Sequence, residues 1–201
     1  TRKAIAYFRK ALQFEPNQAL FEVNLGAALF SLGKTDVAVL RYRRALELNP
    51  RYGIAYFNLG NAFLKMGRME EAEGEFLKAA EYSPDSADAR TSLGFVLSQL
   101  GKTEEALASY RKAIELDPNQ AMAHNNLANR LSAQGRFEEA DLHYKAAIRL
   151  DPQSALFQNN FASSLANQGK RAEALKHYQE AQRLNPEDPQ IRENLARLQA
   201  V

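Results

Sequence analysis

Residues 53–86 read GIAYFNLGNAFLKMGRMEEAEGEFLKAAEYSPDS. Apolar side chains recur three and four residues apart in two blocks, which predicts two amphipathic helices. The first block runs from about Ile54 and ends before Gly67, a residue that readily adopts the left-handed backbone of a helix C-cap. The second block begins near Met69 and ends before Pro84, because proline cannot donate the backbone hydrogen bond of a continuing helix.

The helix ends in this stretch carry suitable polar side chains. Glu70 and Glu71 fall in the first turn of the second helix, where carboxylates interact favourably with the positive end of the helix dipole. Similar acidic pairs recur in later copies of the stretch and have this structural explanation, so we do not interpret them as catalytic pairs. Asp85 and Ser86 offer side-chain oxygens that can cap the next helix.

The same pattern recurs every 34 residues along the chain. Proline, glycine and aromatic residues keep this interval, and alanines keep it at two further positions. Several residue types in phase over so many cycles indicate an internal repeat. The prolines are Pro16, Pro50, Pro84, Pro118, Pro152 and Pro186, the glycines are Gly33, Gly67, Gly101, Gly135 and Gly169, and the aromatic residues are Phe8, Tyr42, Phe76, Tyr110, Tyr144 and Tyr178.

One set of residues in the unit follows a known repeat pattern: Leu59, Gly60, Phe63, Ala72, Phe76, Ala79 and Pro84. This pattern resembles the tetratricopeptide repeat, a helix–turn–helix module. The resemblance covers the whole chain. It implies an all-α fold, namely a right-handed superhelical solenoid of antiparallel helix pairs.

We predict a single repeat array over residues 1–201. Residues 1–18 are expected to form the second helix of an incomplete repeat, and residues 189–201 a lone C-terminal capping helix. The absence of an initial methionine favours a fragment of a longer protein. Five full repeats are predicted at 19–52, 53–86, 87–120, 121–154 and 155–188.

The fourth position of each repeat departs from the family pattern. Tetratricopeptide units usually carry tryptophan there, and this chain has none. We expect local packing at this position to differ from the family, while the fold is retained. The residues that replace tryptophan are Glu22, Tyr56, Arg90, His124 and Gln158, of which only Tyr56 is a near substitute.

In the family that the chain resembles, the first helices line a concave groove that usually holds a partner. The second, fifth, sixth, ninth, twelfth and thirteenth positions are expected to face it. The candidate ligand-binding residues at these positions are Asn24, Phe57, Asn58, Asn61, Phe95, Asn125, Asn126, Asn129, Asn159, Asn160 and Asn194.

The asparagines form a series at the sixth position, interrupted by Ser92. An amide side chain can donate to and accept from a peptide bond at the same time. The series resembles the asparagine ladder in the tetratricopeptide arm of O-linked N-acetylglucosamine transferases, which implies a ligand held by its backbone. Alternatively, the asparagines are a background feature, because this residue is common at the sixth position throughout the family.

Apolar residues at groove positions suggest a second type of contact. Val23 and Phe30 make the opening repeats apolar, and Phe95 stands where a small polar residue is usual. Phe95 is either an anchor for an apolar side chain of a partner or a contact to an adjacent helix. Since the later repeats are richer in amides, the hypothesis is an extended, largely neutral peptide with one apolar end and one polar end.

The groove positions of the five full repeats carry charge only at Lys65 and Asp88. Chaperone-tail-binding members of the family clamp a terminal carboxylate with Lys and Arg. The matching positions here include Val23, Asn58 and Ser92, so that clamp is not expected.

The sequence contains no pattern that points to catalysis, a cofactor or a metal. It has no cysteine and three histidines, and His143 and His177 are expected at equivalent outward positions on successive second helices. The net charge of +2 predicts no general attraction to nucleic acid. The one basic cluster surrounds Tyr42, which should be buried, and its arginines are interpreted as an ordinary solvated face.

No apolar run approaches the roughly 20 residues that span a bilayer, so direct membrane insertion is not expected. The first helix leaves Ile5, Phe8 and Leu12 without a preceding partner helix, which predicts either an upstream helix in the parent protein or end-to-end self-association.

The leading functional interpretation is a non-catalytic module that binds another protein or peptide in its groove. Two alternatives remain open at this point. The chain is the substrate-recognition arm of a larger, glycosyltransferase-like enzyme, or it is a self-assembling structural scaffold. The sequence identifies neither the partner nor the compartment.

Overall fold

The structure is a computed structural model that describes residues 2–200. Thr1 and Val201, the outer residues of the first and last predicted segments, lie outside the described residues. The described chain contains twelve α-helices and no β-strand. The helices are α1 (Arg2–Phe14), α2 (Ala19–Phe30), α3 (Thr35–Leu48), α4 (Gly53–Lys65), α5 (Met69–Tyr82), α6 (Ala87–Gln99), α7 (Thr103–Leu116), α8 (Ala121–Ala133), α9 (Phe137–Leu150), α10 (Ala155–Asn167), α11 (Arg171–Leu184) and α12 (Pro189–Ala200).

The helices group into two compact units, residues 1–109 and residues 110–201, with the division inside α7. In the first unit α2 pairs with α3 and α4 pairs with α5, while α2 and α4 also contact each other. In the second unit α8 pairs with α9 and α10 pairs with α11, while α10 contacts both α8 and α12. The predicted all-α fold of antiparallel helix pairs is confirmed.

The turn within each helix pair depends on a glycine. Gly67 has a backbone φ of +74°, and the four equivalent glycines adopt the same conformation. A residue with a Cβ is strained in this region, which explains why glycine keeps the repeat interval. The capping role predicted for Ser86 is also confirmed, because its Oγ accepts a hydrogen bond from the backbone N–H of Ala89 at 3.1 Å.

The two helices of a pair approach closely where an aromatic ring meets a residue without a large side chain. The ring of Phe76 in α5 lies so near Gly60 in α4 that a Cβ on Gly60 would be 2.8 Å from two of its ring carbons. Gly26 and Tyr42 make the same contact in the preceding pair. Tyr42 and Phe76 are fully buried in this arrangement. The repeat interval of the small and aromatic residues therefore reflects core packing.

The fourth position, where tryptophan is absent, is part of a polar link inside several repeats. The carboxylate of Glu22 accepts from Arg41 at 3.4 Å, and His177 Nδ1 lies 2.7 Å from the Oε1 of Gln158. His124 Nδ1 lies 2.9 Å from the Nδ1 of His143. In each case the partner stands 19 residues later on the second helix.

These pairs correct the prediction that His143 and His177 occupy outward positions. Both side chains face the first helix of their own repeat and are partly buried. The reason is that the polar residue at the fourth position needs a hydrogen-bonding partner where tryptophan would otherwise fill the space.

We predict that Gly60→Ala lowers the free energy of unfolding. The added Cβ would overlap the Phe76 ring, and overpacking of this kind costs about 1–3 kcal/mol. The higher helix propensity of alanine offsets about 1 kcal/mol of that cost. Urea unfolding followed by circular dichroism would measure the difference.

Gly74→Ala is the matched control. Gly74 lies in the same helix as Phe76, but a Cβ added to Gly74 would have no neighbouring atom within 4 Å. This variant should be more stable than the parent by up to about 1 kcal/mol. A Gly60→Ala variant as stable as Gly74→Ala would contradict the packing account.

Candidate functional site

A row of amide side chains lies along the first helices of the second unit. It consists of Asn126 in α8, Asn160 in α10 and Asn194 in α12, which all occupy the sixth position of their repeats and are partly exposed. Residues four positions apart lie on the same face of a helix. Met122 and Leu156 precede the first two asparagines by four residues, and their side chains are 45% and 50% exposed.

The amides of this row are held by amides at the fifth position. Asn160 Nδ2 donates to Asn125 Oδ1 of the preceding first helix at 3.1 Å. Asn194 Nδ2 donates to Asn159 Oδ1 in the same way, also at 3.1 Å. Because each bond joins two successive first helices, it fixes the orientation of the exposed amide relative to the neighbouring repeat.

Asn125 also connects the row at its beginning. Its Nδ2 donates to Asn126 Oδ1 at 3.3 Å, while its own Oδ1 accepts from Asn160. The three side chains thus form one hydrogen-bonded chain in which the direction of every amide is set by its neighbour. We refer to Asn126, Asn160 and Asn194, with their supporting residues Asn125 and Asn159, as the amide row.

The burial of Asn125 corrects its predicted role as a direct ligand contact. Its side chain is only 1% exposed. Val23 and Thr91, also at the fifth position, are buried as well. The hydrogen bond from Asn160 places the Asn125 side chain against the adjacent first helix, so Asn125 supports the row from its buried side.

The exposed amides keep unused hydrogen-bonding capacity. An asparagine side chain has two N–H groups and an oxygen with two lone pairs. Asn160 uses one N–H group in its bond to Asn125, and Asn126 uses one lone pair to accept from Asn125. Among the described residues, each therefore retains at least one donor and one acceptor for a ligand.

The ninth position has a structural role in this unit. Asn129 Oδ1 accepts from the Tyr144 hydroxyl at 2.7 Å, and the hydroxyls of Ser163 and Tyr178 are 2.9 Å apart. Burial raises the pKa of Tyr144, which keeps its hydroxyl protonated as a donor. Asn129 thus satisfies a buried polar group, although it remains partly exposed and its role in ligand binding stays a prediction.

In the first unit the predicted groove residues are arranged differently. Asn24, Asn58 and Asn61 are partly exposed, but Val23 at the fifth position has no amide with which to hold Asn58. Phe57 packs against Phe76 with ring centroids 5.9 Å apart, so part of its surface belongs to the core.

Exposed apolar side chains are the more prominent feature of the first unit. Phe95 is 37% exposed, and Leu20 and Ile54 at the second position are 51% and 53% exposed. The apolar residues at the second position of the second unit, Met122 and Leu156, were not among the predicted site residues. The sequence did carry a signal for them, because the second position of each repeat, which Leu20 and Ile54 also occupy, was expected to face the groove.

The histidine pair beside the amide row constrains its own protonation. His124 Nε2 lies 3.1 Å from the carbonyl oxygen of Pro118, which can only accept, so the Nε2 carries a proton. The His124 Nδ1 of the neutral ring must then accept from the His143 Nδ1. Two protonated rings would direct two N–H groups at each other across 2.9 Å.

The pKa values of both histidines shift in the direction that this geometry requires. Burial lowers the pKa of His124 below its ordinary 6.5; the hydrogen bond to the Pro118 carbonyl opposes this shift, and the charge of Arg149 adds to it. Burial also lowers the pKa of His143, as do His124 and Arg111, while Glu139 opposes the shift. The folded protein therefore prefers the neutral pair.

The basic cluster around Tyr42 has partners within the chain. Tyr42 is 1% exposed, as predicted from its register. Arg44 pairs with Glu47 at 2.7 Å, and Arg41 pairs with Glu22.

Neither a metal site nor a membrane span is found within residues 2–200. No group of three or more His, Cys, Asp or Glu side chains in this range is arranged to hold a metal ion. None of the helices there is long and apolar enough to cross a membrane.

The chain is similar to proteins of one repeat family. The family model of the Cilia and flagella-associated protein 70 C-terminal domain, a tetratricopeptide domain, matches residues 11–201. No protein with a curated description is significantly similar to the chain in sequence.

Solved structures with the same fold include three that differ in sequence. YrrB, described as a TPR protein with an unusual peptide-binding site, is 27% identical, with 93% of this chain and 96% of that chain covered at a TM-score of 0.74. PilF of Pseudomonas aeruginosa is 23% identical, with 94% of this chain and 86% of that chain covered at a TM-score of 0.84. A chain of the APC/C Cut9–Hcn1 hetero-tetramer is 16% identical, with 99% of this chain and 40% of that chain covered at a TM-score of 0.85.

We predict that the stability of the protein falls as the pH drops below 6.5. The unfolded histidines bind a proton near the ordinary pKa of 6.5, whereas the folded His124, His143 and His177 have lowered pKa values. Between the folded and the unfolded pKa values, the unfolded state binds more protons than the folded state. The free energy of unfolding is therefore retained above pH 6.5 and falls below it, by up to about 1.4 kcal/mol per pH unit for each histidine.

His124→Gln should flatten this dependence. It recreates the Gln158–His177 type of pair and removes one titrating group. It also removes the charge by which His124 lowers the pKa of His143. Urea unfolding at several pH values between about 5 and 7 would compare the slopes. Equal slopes for the parent and His124→Gln would contradict a role of the histidine pair in acid sensitivity.

Proposed function

We propose that this chain binds an extended, largely neutral segment of another protein along the amide row. The chain belongs to the family of the Cilia and flagella-associated protein 70 C-terminal domain. In general terms the tetratricopeptide fold is that of a protein–protein interaction module.

The observation that carries the proposal is the hydrogen bonding of Asn160 and Asn194 to the preceding first helices. A free asparagine side chain rotates and loses conformational entropy when it binds. Here that entropy is already lost on folding, so a ligand does not have to order these amides again. Each amide can then donate to and accept from one peptide group, whatever side chain the ligand residue carries.

The spacing of the row favours an extended ligand. Successive first helices α8, α10 and α12 pack on one another, and packed helices lie about 8–10 Å apart. Three residues of a polyproline II segment span about 9 Å. Successive amides therefore match peptide groups three residues apart in such a segment.

The same spacing supports contacts with apolar side chains of the ligand. Met122 and Leu156 stand one helical turn from Asn126 and Asn160 and are about half exposed. An apolar residue at every third position of the segment would contact them in turn. The row itself carries no charge, which supports a largely neutral partner at this surface.

The comparison with YrrB supports the class of ligand. That protein is described as having a peptide-binding site, and this chain shares its repeat architecture over most of its length. The similarity indicates that a peptide is a suitable ligand for such an array.

Self-association through α1 is a second candidate, favoured by one observation. Tyr7 and Phe14 are 67% and 75% exposed and border a cavity of about 400 Å³ with Phe21. A second copy of the chain would cover this apolar surface. We expect the mass measured by sedimentation equilibrium to rise with concentration, and to rise less for Tyr7→Ser combined with Phe14→Ser; a monomer at every concentration would exclude this candidate.

For the amide row, we predict that Asn126→Ala combined with Asn160→Ala weakens binding of a peptide selected from a random library on the intact chain. Each lost amide removes at least one hydrogen bond worth about 0.5–1.5 kcal/mol, so the Kd should rise by at least roughly 5-fold. Fluorescence anisotropy of the labelled peptide would measure it.

The matched control replaces two exposed amides away from the row, Gln153→Ala with Gln179→Ala, and should leave the Kd unchanged. Circular dichroism would establish that both double variants fold. A peptide that binds the parent and the row variant equally would refute binding by the amide row.

A further inference from the structure

A cavity of about 460 Å³ lies at the end of the amide row, between α10, α11 and α12. Its volume is within the range of small-ligand sites, about 300–1,000 Å³. Binding of a neutral segment along the row leaves this cavity without a role. The residues that line it are Ser163, Ala166, Asn167, Gly169, Arg171, Tyr178, Asn194, Arg197 and Leu198.

The charged side chains that line the cavity are basic. Two arginines line it, and none of the described lining residues is acidic. Arg171 Nη2 donates to the backbone carbonyl of Gln199 at 3.3 Å, a neutral acceptor that fixes the side chain without cancelling its charge. A guanidinium held in this way favours a bound anion, and its planar geometry suits a carboxylate.

Arg197 has a carboxylate partner outside the set of lining residues. Its Nη2 lies 2.7 Å from the Oε1 of Glu193, one turn earlier on α12. The side chains of both residues are more than 60% exposed, and exposed pairs of this kind contribute little. Arg197 can therefore exchange this partner for a ligand carboxylate at small cost.

The neutral walls of the cavity are ordered by their own hydrogen bonds. The hydroxyls of Ser163 and Tyr178 are 2.9 Å apart, and Asn194 is held by Asn159 and by Gln190. Ala166 and Leu198 supply an apolar wall. This combination suits a carboxylate on a short apolar stem.

We propose that this cavity binds a carboxylate of the same segment that lies along the amide row. The proposal rests on the function proposed above, and Asn194 connects the two sites because it belongs to the row and also lines the cavity. The carboxylate comes from an aspartate or glutamate side chain or from the chain terminus of the partner. The segment is then neutral along the row and acidic where it meets α12.

The site differs from the carboxylate clamp of chaperone-tail-binding proteins. One of its arginines, Arg171, lies on the second helix of a repeat, and the site is formed at the last repeat of the second unit. The positions of the clamp carry no basic residue in this chain, as the sequence already indicated.

The test uses N-acetyl-L-glutamate α-amide, which carries a single carboxylate, as the glutamate probe and the uncharged N-acetyl-L-glutamine α-amide as the glutamine probe. Both are titrated into the intact chain at constant ionic strength, and proton–nitrogen correlation spectra follow the side-chain signals of Arg171, Arg197 and Asn194. We expect saturable shifts of these signals with the glutamate probe and at least about tenfold weaker binding of the glutamine probe.

Arg171→Gln combined with Arg197→Gln should abolish the shift of Asn194 by the glutamate probe. Arg183→Gln is the control, because Arg183 is exposed in the same unit, pairs with Glu180 at 2.7 Å and does not line the cavity. Equal binding of the two probes, or an equal loss in the control, would overturn the proposal. Tighter binding of inorganic phosphate than of the glutamate probe would overturn the assignment to a carboxylate.

Peptides distinguish the two sources of the carboxylate. The library peptide is extended at its carboxyl end by glutamate with an amidated terminus, or by glutamine with a free terminus. The extended peptide that binds more tightly identifies the source of the carboxylate. If neither extension lowers the Kd, the link between the cavity and the amide row is contradicted. The glutamate probe can bind the cavity without the amide row. Failure of the probe to bind therefore counts against the cavity proposal, whereas failure of the peptide to bind counts against the amide row.

Discussion

The close contact between an aromatic ring on the second helix and a small residue on the first fixes each helix pair. Phe76 and Tyr42 approach Gly60 and Gly26 so closely that even a Cβ would overlap the rings. In the second unit Ala128 and Ala162 occupy the same position and are fully buried. Since neither helix can slide or rotate against the other, the remaining faces of the first helix have fixed directions. This contact therefore helps to determine which side chains of the first helix reach the surface.

One consequence is the division of labour among neighbouring positions of the first helix. In the second unit the fifth position contacts the adjacent first helix, and the sixth position is partly exposed. Where both carry asparagine, the amide at the fifth position of one repeat orients the partly exposed amide at the sixth position of the next, as Asn125 does for Asn160 and Asn159 does for Asn194. Preorganised polar groups of this kind are what a binding surface needs, because the cost of ordering them is met during folding.

The repeat interval of 34 residues was enough to predict the helices, their turns and the family. It also located the asparagines of the amide row, because positions in a repeat translate directly into faces of a helix. It did not predict which groove positions are buried. Asn125, Val23 and Thr91 are buried, and burial at these positions depends on how repeats pack on one another.

The polar pairs that replace tryptophan are a second feature that single positions did not reveal. His143 and His177 looked like exposed residues when each second helix was considered alone. Their partners stand 19 residues earlier at the fourth position. A comparison of Glu22 with Arg41 at the same separation would have indicated that these two positions face each other. The exposed apolar residues Met122 and Leu156 were likewise recognisable from their shared position.

The central claim is that the exposed amides of the second unit bind the backbone of an extended segment. The most direct measurement is a titration of the selected peptide into the intact chain while the side-chain amide signals of Asn126, Asn160 and Asn194 are recorded by nuclear magnetic resonance. The account predicts that the three signals shift together with a single dissociation constant. A peptide that binds while these signals stay unchanged would contradict it.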